Sequence, residues 1–279
     1  MAKTRRPDGH FTRNVAILGG GNIGQAIAKG LVEAGGYDPA RIWITRRDLQ
    51  HLESLRQRGY MVTSDNVDAV RHCRTILITV QPGQLVALLK TIRQAILPNR
   101  HFVLSAVTGV TIAEISKRLG NRAPVVRVMP NTAVAIGESM TCLAANGRDT
   151  AAVRATVELF GKVGLTQVIS EEHMTPATAL CACGIAFFLR AIRAASQGGI
   201  QIGFHPDEAL RMAAQTARGA STLLLEADVH PESEIDRVTT PRGCTIGGLN
   251  RMEHEGFSSA MIKGLVTAAE IAASLFPKK

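Results

Sequence analysis

Two hydrophobic rhythms divide the chain. Up to about residue 170, short β-branched runs alternate with amphipathic stretches. Runs at 14–19, 41–45, 75–80, 101–105 and 125–129 read as strands. Between them, 23–34, 49–58, 85–96 and 112–119 carry a helical period. Two more strands, at 141–146 and 166–169, flank a helix at 152–161. Strands that alternate with helices imply a parallel sheet covered on both faces.

From residue 171 the strand pattern disappears. Helices are expected at 175–197, 206–227, 246–254 and 258–276. The second opens on His205-Pro206-Asp207-Glu208, an acidic helix start. The first carries Ala, Cys, Leu and Phe on most of its faces, and a helix apolar on most faces must be buried on most faces. The segment 171–279 is too short to cover it with one layer of helices, so burial against a second subunit is expected. The reading is an α/β protein with a dinucleotide-binding domain over 1–170 and a helical domain over 171–279. Residues 1–12 read as a loose basic tail.

Composition narrows the class. The chain has 279 residues, 46% hydrophobic but only 4% aromatic, so Ala, Val, Ile and Leu build its core. No apolar run reads as long enough to cross a bilayer, and the first ten residues lack the apolar stretch of a secretory signal. The formal charge is +9, yet Arg5-Arg6 and Arg46-Arg47 are the only adjacent arginines. Without a dense basic run or interleaved aromatics, nucleic acid is not an expected partner. The five cysteines, Cys73, Cys142, Cys181, Cys183 and Cys244, are odd in number and scattered, so they form no disulfide framework. Cys181-x-Cys183 is too close for a zinc knuckle, and the histidines lie far apart. A reduced, cytoplasmic protein without a metal is expected.

The strongest early motif is Gly19-Gly20-Gly21-Asn22-Ile23-Gly24, which matches G-x-G-x-x-G. It follows the apolar run Val15-Ala16-Ile17-Leu18 and opens a helix. Gly19 allows the tight turn, Gly21 lets a pyrophosphate approach, and Gly24 lets helix and strand pack closely. The next strand sets cofactor choice. NAD enzymes place an acid there for the ribose 2′-hydroxyl, whereas this chain offers Thr45-Arg46-Arg47. An acid would repel a 2′-phosphate, and guanidinium pairs with it. Asp48 comes late and reads as a helix cap. Two solvent-exposed arginines are the bland alternative. NADPH is the expected cofactor, with NADH as a weaker one.

A second motif lies at Thr239-Thr240-Pro241-Arg242-Gly243-Cys244-Thr245-Ile246. Pro241 stops the preceding helix, Gly243 permits a bend, and Ile246, Leu249 and Met252 restart a helical period. A restarted helix presents free N–H groups and a positive dipole end, which suits a small carboxylate. Ordinary helix capping would leave the same pattern.

At this point the chain resembles the pyrroline-5-carboxylate reductase family. The resemblance rests on Val238 to Ile246 followed by Leu249, Met252-Glu253 and Gly256-Phe257. It also takes in Val126-Arg127-Val128-Met129-Pro130-Asn131-Thr132 and the run from Gln215-Thr216 to Gly219-Ala220. It covers about Val15 to about Ala269. It implies a Rossmann-type domain, then an all-helical dimerisation half of the 6-phosphogluconate-dehydrogenase type. It implies reduction of 1-pyrroline-5-carboxylate, a cyclic imine, to L-proline, the last step of proline biosynthesis, by a homodimer or an assembly of dimers. It places Asn66 near the adenosine ribose and Thr79-Val80-Gln81-Pro82 along the cofactor. Thr108-Gly109 and the loop through Asn131 surround the nicotinamide. It puts the substrate carboxylate at Thr240, Gly243, Cys244 and Thr245, and the hydroxyl of Thr178 near the imine nitrogen. Read without it, Thr178 is a helix hydroxyl bonded to its own turn and Cys244 a small filler.

The chain departs from the family at four places. Gln81 stands for a usual Lys, Ala133 for a Pro and Arg242 for a Gly, and 181–185 replaces a Ser/Gly-rich stretch ending in Gly-Pro. Two competing readings follow. A 3-hydroxyacid dehydrogenase needs a Lys on its long interdomain helix, and 175–197 holds only Arg190 and Arg193 as basic residues. A non-catalytic NADP-binding sensor or scaffold would keep the fold without turnover.

Overall fold

The computed structural model describes residues 14–147, 150–227 and 229–275, so the expected tail at 1–12 lies outside the described residues. The chain divides into two compact units. One runs to Cys183 and takes in the chain from Ala268, and the other is Gly184–Thr267.

The first unit is built on one eight-stranded sheet. Its strands are β1 (Val15–Leu18), β2 (Ile42–Thr45), β3 (Met61–Thr63), β4 (Thr75–Ile78), β5 (Phe102–Ser105), β6 (Val125–Met129), β7 (Ser139–Ala145) and β8 (Gly164–Val168). Their order is β3-β2-β1-β4-β5-β6-β7-β8. The first six are parallel, and in β1 successive side chains serve opposite faces. Val15 and Ile17 enter one core cluster, Ala16 and Leu18 the other. A strand buried on both faces must be apolar throughout, which explains the unbroken run of β1. Helices α1 (Asn22–Glu33), α2 (Glu53–Gln57) and α6 (Ala151–Phe160) supply the first cluster. Helices α3 (Asn66–His72), α4 (Pro82–Ile92) and α5 (Ile112–Leu119) supply the second.

Parallel pairing fails at one place. β7 runs antiparallel to β6, and β8 is parallel to β7. Residues 130–138, holding a 3-10 turn at Thr132–Ile136, link β6 to β7. That is shorter than the dozen or so residues a parallel crossover needs. Gly137, at φ 79°, reverses the chain. The expected helix at 49–58 is a 3-10 turn, Leu49–Leu52, followed by α2. Three elements were not legible at all: β3, α3 and α10 (Pro231–Val238). β3 is a short edge strand with no buried residue, and α10 buries none of its own, so neither carries an apolar period.

The second unit contains α8 (Gly184–Gln201), α9 (Pro206–Ala227), α10, α11 (Cys244–His254) and most of α12 (Phe257–Ser274). α8 and α9 pack on each other, and a side chain at Gly199 would sit 3.0 Å from Cβ of Ala209. Among the described residues of α8 and α9, only Gly184, Ser196 and Ala209 are buried. Phe188, Leu189, Ile202 and Leu225 are more than half exposed, at 59%, 58%, 78% and 71%. This unit has almost no core of its own.

α8 is preceded by α7 (Met174–Ala177) and a π-helical turn, Thr178–Cys183. The helical run Glu171–Gln201 spans 31 residues and holds an apolar window of mean hydropathy 1.6, long and apolar enough by length and composition to cross a membrane. The sequence reading expected no such run, and this helix corrects it.

Candidate active site

The strand order reverses between β1 and β4, the place where open α/β sheets bind ligands. Gly19 stands there at φ 121°, and a side chain on it would lie 2.9 Å from the Thr79 carbonyl carbon. The Thr79 hydroxyl donates to the Gly19 carbonyl at 2.8 Å, tying β1 to β4. A Cβ at Gly24 would lie 2.1 Å from the Gly19 carbonyl oxygen, so only glycine lets α1 start this close to β1. At Gly21 a Cβ would meet nothing within 4 Å.

α1 begins at Asn22 with no side-chain cap and no acid in its first turn. The first intrahelical bond of the turn is Gln25 N–H to Gly21 O, at 2.9 Å. The amides of Asn22, Ile23 and Gly24 therefore have no intrahelical acceptor, and they face the positive end of the helix dipole. An uncapped helix start beside an open glycine fits a pyrophosphate.

The end of β2 continues the edge. Gly20 N–H donates to Thr45 O at 2.7 Å, and Arg46 Nη1 donates to Gly20 O at 2.8 Å. Arg46 is half-buried and Arg47 exposed. Thr45 donates its hydroxyl to Oδ1 of Asn66 at 2.6 Å, which fixes the first residue of α3 against β2. Asp48 caps the turn Leu49–Leu52, accepting from Gln50 N–H. Val80, Gln81 and Pro82 lead from β4 into α4, with Gln81 as N-cap and Pro82 at the first helical position, where its missing N–H costs nothing. Thr108 lies between β5 and α5 beside Gly109, which has φ 81°. The structure thus brings all the cofactor residues read from the sequence to the C-terminal edge of the sheet.

After β6, Asn131 ties its own loop to β7 and to the π turn. Its N–H donates to Ser139 Oγ at 3.2 Å, and its Nδ2 donates to the Cys181 carbonyl at 3.2 Å. Its Oδ1 accepts from Ala133 N–H at 3.1 Å. A proline at position 133 could not make that last bond, which gives the departure to Ala133 a local use.

Thr178 opens the π turn and is buried. Its hydroxyl donates to Met174 O at 2.8 Å, so its proton is committed and only its lone pairs remain. π turns inside helices are frequent at functional sites.

In the second unit, Gly243 N–H donates to Thr240 O at 2.9 Å, closing a tight turn. The positive φ is not at Gly243, which is extended at φ −73°, but at Arg242, at 59°. With proline before it, Arg242 sits where a type II turn requires the left-handed region. Gly243 is needed for a different reason. A Cβ there would be 2.5 Å from the Thr240 hydroxyl oxygen. α11 then starts at Cys244 without a side-chain cap or an acid in its first turn, leaving the amides of Cys244 and Thr245 for a ligand. Thr240 and Cys244 are exposed and Thr245 is half-buried.

Two pairings had no sequence signal. Arg127 on β6 is buried and meets Oε1 of Glu171 at 3.3 Å, while the same oxygen accepts from Ile112 N–H at 2.6 Å. Burial lowers the Arg127 pKa, and the Glu171 charge opposes that shift. The pair joins β6, α5 and the start of the α7 region. The other pairing is Cys142 on β7 with Cys181 in the π turn, whose sulfurs are 3.8 Å apart. Their partners lie 39 residues apart in sequence, beyond any local pattern.

Comparison with known proteins decides the family. Over 274 residues the chain is 46% identical to pyrroline-5-carboxylate reductase 2 of Dictyostelium discoideum, covering 92% of this chain and 91% of that one. The chain belongs to the pyrroline-5-carboxylate reductase family. It is 51% identical over 281 residues to pyrroline-5-carboxylate reductase 1 of the same organism, covering 96% of this chain and 51% of the relative. The chain thus spans about half the length of that relative. Its identity to the reductase of Methanosarcina acetivorans is 30%, over 92% of this chain and 96% of that one.

The family's dimerisation model, "Pyrroline-5-carboxylate reductase dimerisation", matches residues 171–275. The model "NADP oxidoreductase coenzyme F420-dependent" matches 14–109. Among solved structures, a pyrroline-5-carboxylate reductase from Coxiella burnetii matches with TM-score 0.84 at 28% identity, over 96% of this chain and 100% of that one. The Plasmodium falciparum pyrroline carboxylate reductase, solved with NADP bound, shares the fold at TM-score 0.86 and 22% identity, over 96% of this chain and 100% of that one. The dimerisation model spans the apolar run from Glu171.

Proposed function

We propose that this protein reduces 1-pyrroline-5-carboxylate to L-proline with NADPH, the last step of proline biosynthesis, in the cytoplasm. The observation that carries the reading is the near full-length identity to a reductase of that name. Residues 1–170 are assigned to the cofactor and 171–279 to dimerisation and substrate. NADPH, when bound, supplies the hydride for the C=N carbon. The amides of Asn22, Ile23 and Gly24 would hold its pyrophosphate, and Arg46 and Arg47 its 2′-phosphate. Thr45, Asn66, the Thr79–Pro82 segment, Thr108 and Asn131 complete the lining.

The remaining roles fall on the substrate. Thr240 and the amides of Gly243, Cys244 and Thr245 bind its carboxylate. The Thr178 lone pairs accept the N–H of the protonated imine and orient it. With its own proton donated to Met174 O, Thr178 is a positioning acceptor for that N–H, and solution supplies the proton. A 3-hydroxyacid dehydrogenase is disfavoured by the lack of a lysine in 175–197.

The test is NADPH oxidation on adding 1-pyrroline-5-carboxylate. Turnover is expected, and cofactor binding without turnover would mean a sensor. In the same assay Thr240→Ala should raise KM for the imine about tenfold or more, since a hydrogen bond to a charged group is worth roughly 1.5–3 kcal/mol. Thr178→Val should instead lower kcat with NADPH affinity kept. An unchanged KM in the first variant, or an unchanged kcat in the second, removes that residue from the site.

The apolar surface of α8 and α9 supports a homodimer with no folded monomer. Sedimentation at micromolar concentration should find no monomer peak, and an active monomer would overturn this.

A further inference from the structure

Cys142 and Cys181 stand apart from the other cysteines. Cys73 is buried, and burial pushes its thiol up to about 12, so it stays inert. Cys244 is exposed. Cys142 and Cys181 face each other at 3.8 Å, close enough that one sulfur hydrogen-bonds the other. Cys142 is buried in β7, with Met129 of β6 as its ladder partner. Cys181 is half-buried in the π turn that begins at Thr178. Its carbonyl is the acceptor of Asn131 Nδ2. The two sulfurs therefore bridge the sheet to the turn that carries Thr178, beside the loop that carries Asn131.

The pair is asymmetric in a useful way. The hydrogen bond from Cys142 lowers the Cys181 pKa, which favours its thiolate. The same bond, with burial, pushes Cys142 up and keeps it a thiol. The thiolate is the more accessible sulfur and the resolving thiol lies against it, the arrangement of redox-sensing cysteines. The two belong to one chain and one unit, and Cys181 lies where this sequence departs from the family's Ser/Gly-rich stretch.

We propose that Cys142 and Cys181 form a reversible disulfide under peroxide, and that this bond slows imine reduction. The slowing rests on the function proposed above, whereas the bond itself does not. Cys181 thiolate attacks one peroxide oxygen. The O–O bond breaks, Cys181 becomes a sulfenic acid, and the departing hydroxide takes a proton to become water. Cys142 sulfur then attacks the sulfenic sulfur. The S–S bond forms, the S–O bond breaks, and hydroxide leaves with the Cys142 proton as a second water. The two thiols lose two electrons together and the peroxide gains them. A small-molecule thiol reverses the reaction by exchange.

A disulfide has an S–S distance of about 2.05 Å, so the sulfurs must close from 3.8 Å. β7 is held by ladders on both sides, to β6 and β8. The π turn has no ladder and is held by one Asn131 bond and by the packing of Cys181 and Ala182 on Met129 and Cys142, so it is the part that moves. Its movement displaces Thr178 and strains the Asn131 contact.

The test uses the full chain treated with a small excess of hydrogen peroxide, alkylated, digested and analysed by mass spectrometry. A Cys142–Cys181 cross-linked peptide is expected, lost after dithiothreitol. In parallel, kcat should fall about tenfold and recover with dithiothreitol, within the hundredfold that a misplacement of about 1 Å can cost. Cys181→Ser should keep the reduced activity, form no such peptide and resist peroxide, and Cys142→Ser should behave alike. No Cys142–Cys181 peptide, or Cys181 joined to Cys183 instead, overturns the pairing. A cross-link with unchanged kcat overturns its control of the reaction. If the reduced protein has no imine reductase activity, the proposed function fails while the peptide still decides the pairing.

Discussion

The Arg46→Ala, Arg47→Ala double variant should lose NADPH preference by about a hundredfold to ten-thousandfold in kcat/KM, at roughly 1.5–3 kcal/mol for each charge-assisted contact. NADH turnover should stay within a few fold. Arg46 is already oriented, because its Nη1 is bonded to Gly20 O and the rest of the guanidinium is left to meet a phosphate. Asp48, the acid that follows β2 in the chain, already has partners. Its Oδ1 accepts from Gln50 N–H, and its Oδ2 lies 3.4 Å from His51 Nε2. Arg46→Lys should recover part of the preference, since a lysine restores charge without the bidentate fork. The comparison is steady-state kinetics with both cofactors. A double variant that still prefers NADPH as strongly as the parent would place the 2′-phosphate elsewhere.

Three glycines of α1 and its turn should respond to alanine in three different ways. Gly30→Ala should be the most damaging to stability. Its Cβ would lie 1.9 Å from the Val134 carbonyl oxygen, because α1 packs directly on the backbone of the turn Thr132–Ile136. Overpacking ordinarily costs about 1–3 kcal/mol, and contact with rigid backbone puts this case at roughly 3 kcal/mol or more. Gly24→Ala should lose both stability and NADPH affinity, since its Cβ would strike Gly19 O at 2.1 Å and push the cofactor turn out of shape. Alanine is accepted at this fingerprint position in other dinucleotide folds, so the result separates this chain's geometry from the general motif. Gly21→Ala should fold with near-parental stability yet bind NADPH poorly, because its Cβ meets nothing in the protein. Urea unfolding with cofactor titration resolves the three. Normal NADPH affinity in Gly21→Ala would mean that the pyrophosphate does not pass there.

Much of this protein was determined locally and could be read without a structure. The apolar run of β1, the amphipathic period over Ile112–Leu119 and the helix Pro206–Ala227 all follow from side-chain spacing along a few turns of chain. The glycine fingerprint and the Thr240 motif were legible for the same reason, since each is a contiguous segment whose chemistry lies in its own backbone. Tertiary structure decided the rest. The direction of β7 depended on the length of a connection, and β3 and α10 bury too little apolar surface to leave a pattern. The left-handed residue of the Thr240 turn is Arg242 rather than the neighbouring glycine, because Gly243 is reserved for the close approach of the Thr240 hydroxyl. The Arg127–Glu171 and Cys142–Cys181 pairs join residues 44 and 39 positions apart. No periodicity reaches that far. Spacing along a chain encodes which face of an element is apolar, but which polar groups meet across elements is set only when the elements pack.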